Sequence, residues 1–302
     1  MTPHPRPVFL CVLISVAAFA MTPAPAVAAV VERFSRDPLA GRSVNPFFSE
    51  GDAGARFTFV DRERPHFPGD RPGTLRVLYD TTLPTARLAT PLGDVLSLGE
   101  DAEFGAILTI RSTGYHADPQ GFSQIAFGLW NAHSTGPGRT LFPSDSFDLI
   151  EFDYFANVTD FGGPFLSPSV FGGNVGDNAF FNFTFGSQQA ALPFDVPLLC
   201  RARYQAATGL LDVTVSRHAG GTRFVPIPGA SVTVDLGSLS PTYLVDVLGI
   251  AAYGEGWPSL RAVVDYDLLY TGPLPLPFAV GTTSAPAGSR GPGSGPTKQP
   301  IP

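Results

Sequence analysis

The chain is poor in lysine, cysteine and charge. Its 302 residues include one lysine, Lys298, and two cysteines, and only 15% of the residues are charged. The net charge of −7 leaves no basic patch to neutralise phosphates, which excludes nucleic acid as an expected partner. Glycine (33) and proline (31) together exceed their ordinary share, which argues against a helical protein. The hydrophobic content of 44% supplies a core and excludes disorder throughout.

An apolar run near the N-terminus has the features of a secretory signal peptide. It follows Arg6, it is about a dozen residues long and thus too short to span a bilayer, and an A-x-A site ends at Ala28. We expect residues 1–28 to be removed and the mature protein to be extracellular or periplasmic, with no membrane span. Cys11 then leaves with the signal, and Cys200 is expected to be a buried apolar side chain.

Composition divides the remaining chain into two parts. Residues 29–271 have the size of one all-β domain. Residues 272–302 are rich in Pro, Gly and Ser, and we expect a disordered tail there.

Apolar residues in the domain alternate with a period near two, in short runs separated by turn residues. The pattern predicts an all-β fold, a two-sheet antiparallel sandwich of the jelly-roll kind. Prolines are expected at strand edges and in turns. The candidate strands are Arg56–Val60, Thr74–Tyr79, Phe104–Arg111, Gln124–Asn131, Phe147–Phe155, Ala179–Phe185, Asp195–Tyr204, Leu210–Ser216, Ser231–Leu236, Val245–Tyr253 and Ala262–Tyr270.

One candidate strand carries two carboxylates on the same face. Glu151 and Asp153 are two positions apart, and strand geometry points both away from Ile150 and Phe152. Two such carboxylates repel each other unless a cation lies between them. Asn157 and Asp160 follow in the next turn, and oxygen ligands of this kind suit calcium.

This segment resembles a known metal-binding loop. Its spacing, E-F-D-x-F-x-N-x-x-D, resembles that of legume lectins, which belong to the concanavalin A-like lectin and glucanase superfamily. The resemblance implies four calcium ligands: Asp153, the Phe155 carbonyl, Asn157 and Asp160. The resemblance implies that the family's neighbouring transition-metal site would use Glu151, both Asp153 and Asp160, and a His a few residues further on. No His follows here, so the second metal is doubtful.

The resemblance extends upstream to the sugar-binding positions. The stretches Ser123–Leu129 and Gly138–Phe142 occur in the order of two further lectin motifs, and Ser123 stands where the family has its sugar-contacting Asp. The resemblance implies ligand contacts at Ser123, Gly138, Phe155 and Asn157. Trp130 is a further candidate, because its ring could stack on a sugar.

Three other interpretations use the same residues. Laminarinase-type glucanases carry E-x-D-x-x-E or E-x-D-x-E, in which the first Glu is the nucleophile and the last is the acid/base. The last position falls on Phe155 or Ala156 here, so no enzymatic activity is expected from the motif. A structural or adhesive sandwich without a site is the second alternative. In the third, Glu151 and Asp153 are ordinary acids paired with Arg111 or Arg139.

The sequence therefore predicts a secreted, non-enzymatic, lectin-like domain that binds a glycan or polysaccharide. Calcium is the expected cofactor. Exposed strand edges also make a homodimer plausible.

Overall fold

The structure, a computed structural model, describes residues 29–61, 73–115, 124–131, 148–156, 164–171, 188–237, 244–254 and 260–281. The predicted signal peptide and the candidate strand Ala179–Phe185 lie outside these ranges. The strands are β1 (Val31–Glu32), β2 (Phe48–Glu50), β3 (Phe57–Val60), β4 (Thr74–Asp80), β5 (Ala86–Ser97), β6 (Ala102–Tyr115), β7 (Gln124–Trp130), β8 (Leu149–Phe155), β9 (Phe165–Leu166), β10 (Ser169–Phe171), β11 (Gln188–Gln189), β12 (Leu198–Gln205), β13 (Leu210–His218), β14 (Arg223–Asp235), β15 (Leu244–Ala252), β16 (Leu260–Thr271) and β17 (Ala279–Val280). One short helix, α1 (Ala53–Arg56), completes the described elements.

The described strands form two sheets. The back sheet has the order β17-β14-β13-β12-β6-β16-β4-β3, with β1 added beside β16. The front sheet has the order β11-β9-β8-β7-β15-β5-β2, with β10 added beside β8. Strand pairs are antiparallel apart from the parallel pair β14 and β17. The prediction of a two-sheet antiparallel sandwich is confirmed.

Aromatic side chains from both sheets meet between them. Phe127 of β7 stacks on Phe152 of β8 at 4.9 Å between ring centroids, and the edge of Tyr266 of the back sheet contacts Phe127 at 6.2 Å. The hydroxyls of Tyr79 and Tyr266 lie 2.7 Å apart in this core, so each satisfies the other's polar group. Cys200 is buried in the same core, as predicted from its apolar neighbours, and burial raises its pKa.

Three prolines lie inside strands rather than in turns: Pro91 in β5, and Pro226 and Pro228 in β14. The ladder of each strand changes register beside these prolines. Proline has no N–H to donate, so a strand tolerates it where the pairing is already interrupted. On its other side each strand has no paired strand at these prolines among the described residues, because β2 pairs only with residues 87–89 of β5 and β17 only with residues 223–224 of β14. The prolines therefore lie at sheet edges, in agreement with the expectation. Strand β5 is absent from the strands predicted from the sequence, and β14 was predicted only as Ser231–Leu236.

The ordered domain continues past the predicted boundary at Thr271. Phe278 is only 5% exposed, and its ring contacts Phe224 at 6.1 Å between centroids. Arg33 places its guanidinium 5.4 Å from the centroid of the Phe278 ring and donates to the carbonyl of Leu276 at 3.0 Å. Residues 272–281 are therefore packed on the sandwich. The rest of the predicted tail, 282–302, lies outside the described residues.

Candidate functional site

Strand β8 places Glu151 and Asp153 on the face of the front sheet that points away from the main core. Ile150, Phe152 and Tyr154 alternate with them and belong to the core between the sheets. Every residue of β8 is buried, so the far face of the front sheet is covered as well. The carboxylates therefore lie in an interior environment, where each charge needs partners.

Protein donors occupy both oxygen atoms of Glu151. Trp130 Nε1 of β7 donates to Oε1 at 2.8 Å. The Tyr253 hydroxyl, just after β15, lies 2.8 Å from Oε1 and 2.9 Å from Oε2. Burial and the charge of Asp153 raise the pKa of Glu151 well above its ordinary value, while these two donors and Arg87 act to lower it.

Two glycines make room for this arrangement. Gly128 of β7 pairs with Glu151 on one side and with Gly249 of β15 on the other. A Cβ on Gly128 would lie 2.9 Å from Glu151 Cγ, and a Cβ on Gly249 would overlap the Trp130 ring. The side chains of Glu151 and Trp130 therefore lie over strands that carry no side chain at these positions.

Asp153 is bound less completely than Glu151. Gln124 Nε2 of β7 donates to Asp153 Oδ1 at 2.8 Å. Asp153 Oδ2 and Gln124 Oε1 are buried, and neither has a hydrogen-bond partner among the residues that the structure describes. Burial raises the pKa of Asp153 to about 7, although hydrogen bonds from Ser169 and Gln124 act to lower it. This pair thus holds two acceptor oxygens that a cation or a proton would satisfy.

Arg87 of β5 is the positive charge on this face. Its side chain is buried, at 4% exposure, and Nη1 lies 3.4 Å from Glu50 Oε2. The guanidinium carbon lies 5.6 Å from the centroid of the Tyr253 ring, a cation–π distance. Its Nε and Nη2 have no hydrogen-bond partner. Arg87 therefore acts on Glu151 through charge and through Tyr253 rather than by direct contact.

The structure brings together only part of the site that the sequence predicts. Glu151, Asp153, Phe155 and Trp130 are described, whereas Ser123, Gly138, Asn157 and Asp160 lie outside the described ranges. Within those ranges, no three side chains of His, Cys, Asp or Glu come together in a group able to hold a metal. The complete ligand set stays a prediction.

The two aromatic candidates are placed in the interior. Trp130 and Phe155 are both 0% exposed, and Phe155 stacks on Phe165 at 4.8 Å between centroids. Neither ring has a free face in this structure on which a sugar could stack. Their stacking role stays a prediction that requires these rings to become exposed.

Of the two arginines that the alternative interpretation pairs with the carboxylates, Arg111 is placed elsewhere. Arg111 pairs on the back sheet with Asp265 at 2.8 Å and with Asp195 at 3.1 Å, and so it is not a partner of Glu151 or Asp153. Arg139 lies outside the described residues. Sequence reasoning missed Gln124 and Arg87 as site residues. Gln124 directly follows Ser123 in the lectin-like motif, and that position is the signal that could have found it.

The residues present fit calcium in kind. Calcium binds oxygen ligands from carboxylates, amides and carbonyls. Asp153 Oδ2 and Gln124 Oε1 are such oxygens, and they are the buried acceptors without partners beside the predicted loop.

The fold and this site define a two-sheet antiparallel β-sandwich with a buried carboxylate pair on its front sheet. No family model and no curated protein matches the sequence. Solved structures with a similar fold include the carbohydrate recognition domain of Emp47p, with a TM-score of 0.49 at 10% identity, covering 82% of this chain and 95% of that one. The lectin UEA-II in complex with galactose gives 0.47 at 15%, covering 81% and 98%. The exoplasmic/lumenal domain of VIP36, in its Ca2+/Man2-bound form, gives 0.45 at 12%, covering 82% and 87%.

The described part of the chain contains no helix with the length and apolar character needed to span a bilayer.

Proposed function

We propose that this protein is a secreted, non-enzymatic carbohydrate-binding domain of the lectin type, whose binding surface is ordered by calcium at the end of β8. The observation that carries the proposal is the buried pair Asp153 and Gln124. Each contributes an oxygen that has no hydrogen-bond partner in the described part of the chain. Asp153 is also the residue that the resemblance to legume lectins implies as the first calcium carboxylate. A buried acceptor left unpaired costs about 1–3 kcal/mol, so a missing partner is expected there.

In this proposal each part of the motif has a defined task. Asp153 and the carbonyl of Phe155, at the end of β8, would hold the ion together with Asn157 and Asp160. Calcium bound there would fix the turn that follows β8. The side-chain amide of Asn157 would then be oriented to donate to sugar hydroxyls, with Ser123 and Gly138 at the edge of the same surface.

The experiment is a glycan array screened with calcium and with chelator. We expect binding to a carbohydrate class that chelator abolishes. Asp153→Asn should abolish it as well, because it removes the charge from the ligand set. Asp94→Asn is the matched control, since the exposed Asp94 side chain bonds the neighbouring N–H of Val95 and lies in another part of the front sheet. Absence of binding across broad polysaccharide classes would contradict the proposal.

A second candidate is a structural or adhesive sandwich without a sugar site. The burial of Trp130 and Phe155 favours it, because neither ring offers a stacking face. A silent glycan array, together with an unchanged melting temperature on addition of calcium, would support this second candidate.

A further inference from the structure

Glu151 is the buried carboxylate that the proposed calcium site does not use. Three strands of the front sheet supply its surroundings: β7 provides Trp130, β15 leads into Tyr253, and β5 provides Arg87. These strands are neighbours in the order β7-β15-β5. The residues are far apart in the sequence, so the sheet topology alone brings them to one carboxylate.

The donors leave little of Glu151 for a metal ion. Oε1 accepts from Trp130 and is also within reach of the Tyr253 hydroxyl, which bridges to Oε2. A metal bound to Glu151 would have to displace at least the hydroxyl, and the buried Tyr253 side chain would then lose its hydrogen bond. Arg87 supplies a positive charge 5.6 Å from the centroid of the Tyr253 ring, and this charge acts on the Glu151 carboxylate.

We propose that Trp130, Tyr253 and Arg87 are positioning residues that hold Glu151 in a metal-free hydrogen-bonded hub, which leaves Asp153 as the carboxylate of β8 that faces a cation. The hub removes Glu151 from the metal ligands expected from the sequence. The site is therefore specific for a single hard cation, and a transition metal does not bind beside it. The inference rests on the proposed function only for the presence of calcium at Asp153.

The backbone supports this hub independently. Gly128 and Gly249 face each other across β7 and β15, and the Glu151 and Trp130 side chains occupy the space over them. A Cβ at Gly249 would overlap the Trp130 ring, so a larger residue there would displace the indole that donates to Glu151. Glu151 thus has space over two glycines, two hydrogen-bond donors in Trp130 and Tyr253, and the positive charge of Arg87.

The first experiment observes the hub through the indole N–H of Trp130 by NMR on the full chain. The chain contains two tryptophans, so a Trp257→Phe variant assigns the Trp130 signal. We expect this signal to be protected from solvent exchange and to shift in Tyr253→Phe. Tyr266→Phe is the matched control, because it removes an equally buried hydroxyl from the core between the sheets. It should lower the melting temperature and leave the signal in place. A rapidly exchanging Trp130 indole, or a signal that Tyr253→Phe does not move, would overturn the hub.

The second experiment tests the metal consequence on the wild-type chain, so it does not depend on the folding of a variant. Calcium-saturated protein is incubated with Mn2+, separated from free metal, and analysed for bound metal. We expect less than one tenth of an equivalent of Mn2+ per chain. One equivalent of Mn2+ that is lost in Glu151→Gln would overturn the inference. A protein that binds neither ion refutes the proposed calcium site, while the NMR result still decides whether the hub exists.

Discussion

The two carboxylates of β8 differ in how completely each is satisfied. Glu151 accepts from Trp130 and Tyr253, whereas Asp153 keeps one oxygen without a partner. Both are buried, and for both the pKa is raised. The spacing of the motif predicts that the two side chains share a face. It does not predict their different partners, because these come from strands that are distant in the sequence.

The raised pKa of Asp153 predicts that the free energy of unfolding depends on pH when no metal is bound. Burial raises the pKa of Asp153 to about 7 in the folded state, above its ordinary value of 3.8. Between these values the folded state binds more protons than the unfolded state, so this residue makes stability fall as pH rises towards 7. Asp153→Asn removes that contribution. We expect the variant to gain about 2–3 kcal/mol on wild type between pH 5 and pH 8.

Urea unfolding in chelator at several pH values measures this difference. Other carboxylates contribute too, and Asp265 has the opposite sign: although burial acts to raise its pKa, hydrogen bonds from Arg76 and Arg111 lower it. The comparison of variant with wild type cancels groups that do not interact with Asp153. Glu151 does not cancel, because the charge of Asp153 raises its pKa. A constant difference in free energy across the pH range would show that Asp153 is not buried as described.

At the scale of the elements, the alternation of apolar residues was enough to find most long strands. Strands β4, β7 and β8 lie within two residues of the predicted ranges. Strand β5 was missed because Pro91 interrupts its pattern, and β5 carries Arg87. Because this strand was not predicted, Arg87 was not predicted as a site residue either. Proline marks an interrupted ladder in β5 and β14, and such interruptions become visible only once the pairing partners are known.

The packing around Gly249 of β15 predicts that a side chain at this position destabilises the protein. Gly249→Ala would place a Cβ against the Trp130 ring, 2.7 Å from the Leu88 carbonyl oxygen and 2.8 Å from Ala89 Cβ. The Leu88 carbonyl belongs to the backbone and the Trp130 ring is buried, so neither can move easily to make room for the new Cβ. We expect a loss of about 1–3 kcal/mol or more.

Gly114→Ala on β6 is the control for that variant. A Cβ at Gly114 meets nothing within 4 Å, and the backbone there needs no positive φ. Its free energy of unfolding should stay within about 0.5 kcal/mol of wild type. Equal losses in the two variants, measured by urea unfolding, would contradict the described packing of Trp130.

For the whole molecule, composition excluded a helical fold, and strand periodicity predicted the sandwich that the structure shows. The sequence could not place the end of the ordered domain. Phe278 lies in a stretch of disordered composition, yet it packs on Phe224 and under Arg33. The packing of Phe278 on Phe224 keeps this stretch on the domain despite its composition. The sequence alone does not show that these two residues are neighbours.

We have proposed a calcium site at Asp153 on the front sheet. The direct test of this site is the melting temperature, measured in calcium and in chelator. If calcium binds the folded state only, an ion concentration of about 100 times its dissociation constant adds roughly 2.7 kcal/mol of stability. For a domain of this size the melting temperature should rise by about 5–10 °C, at roughly 2–4 °C per kcal/mol. Asp153→Asn should lose most of that rise. A wild-type melting temperature that chelator leaves unchanged to within about a degree, or a full calcium-induced rise in Asp153→Asn, would contradict the account.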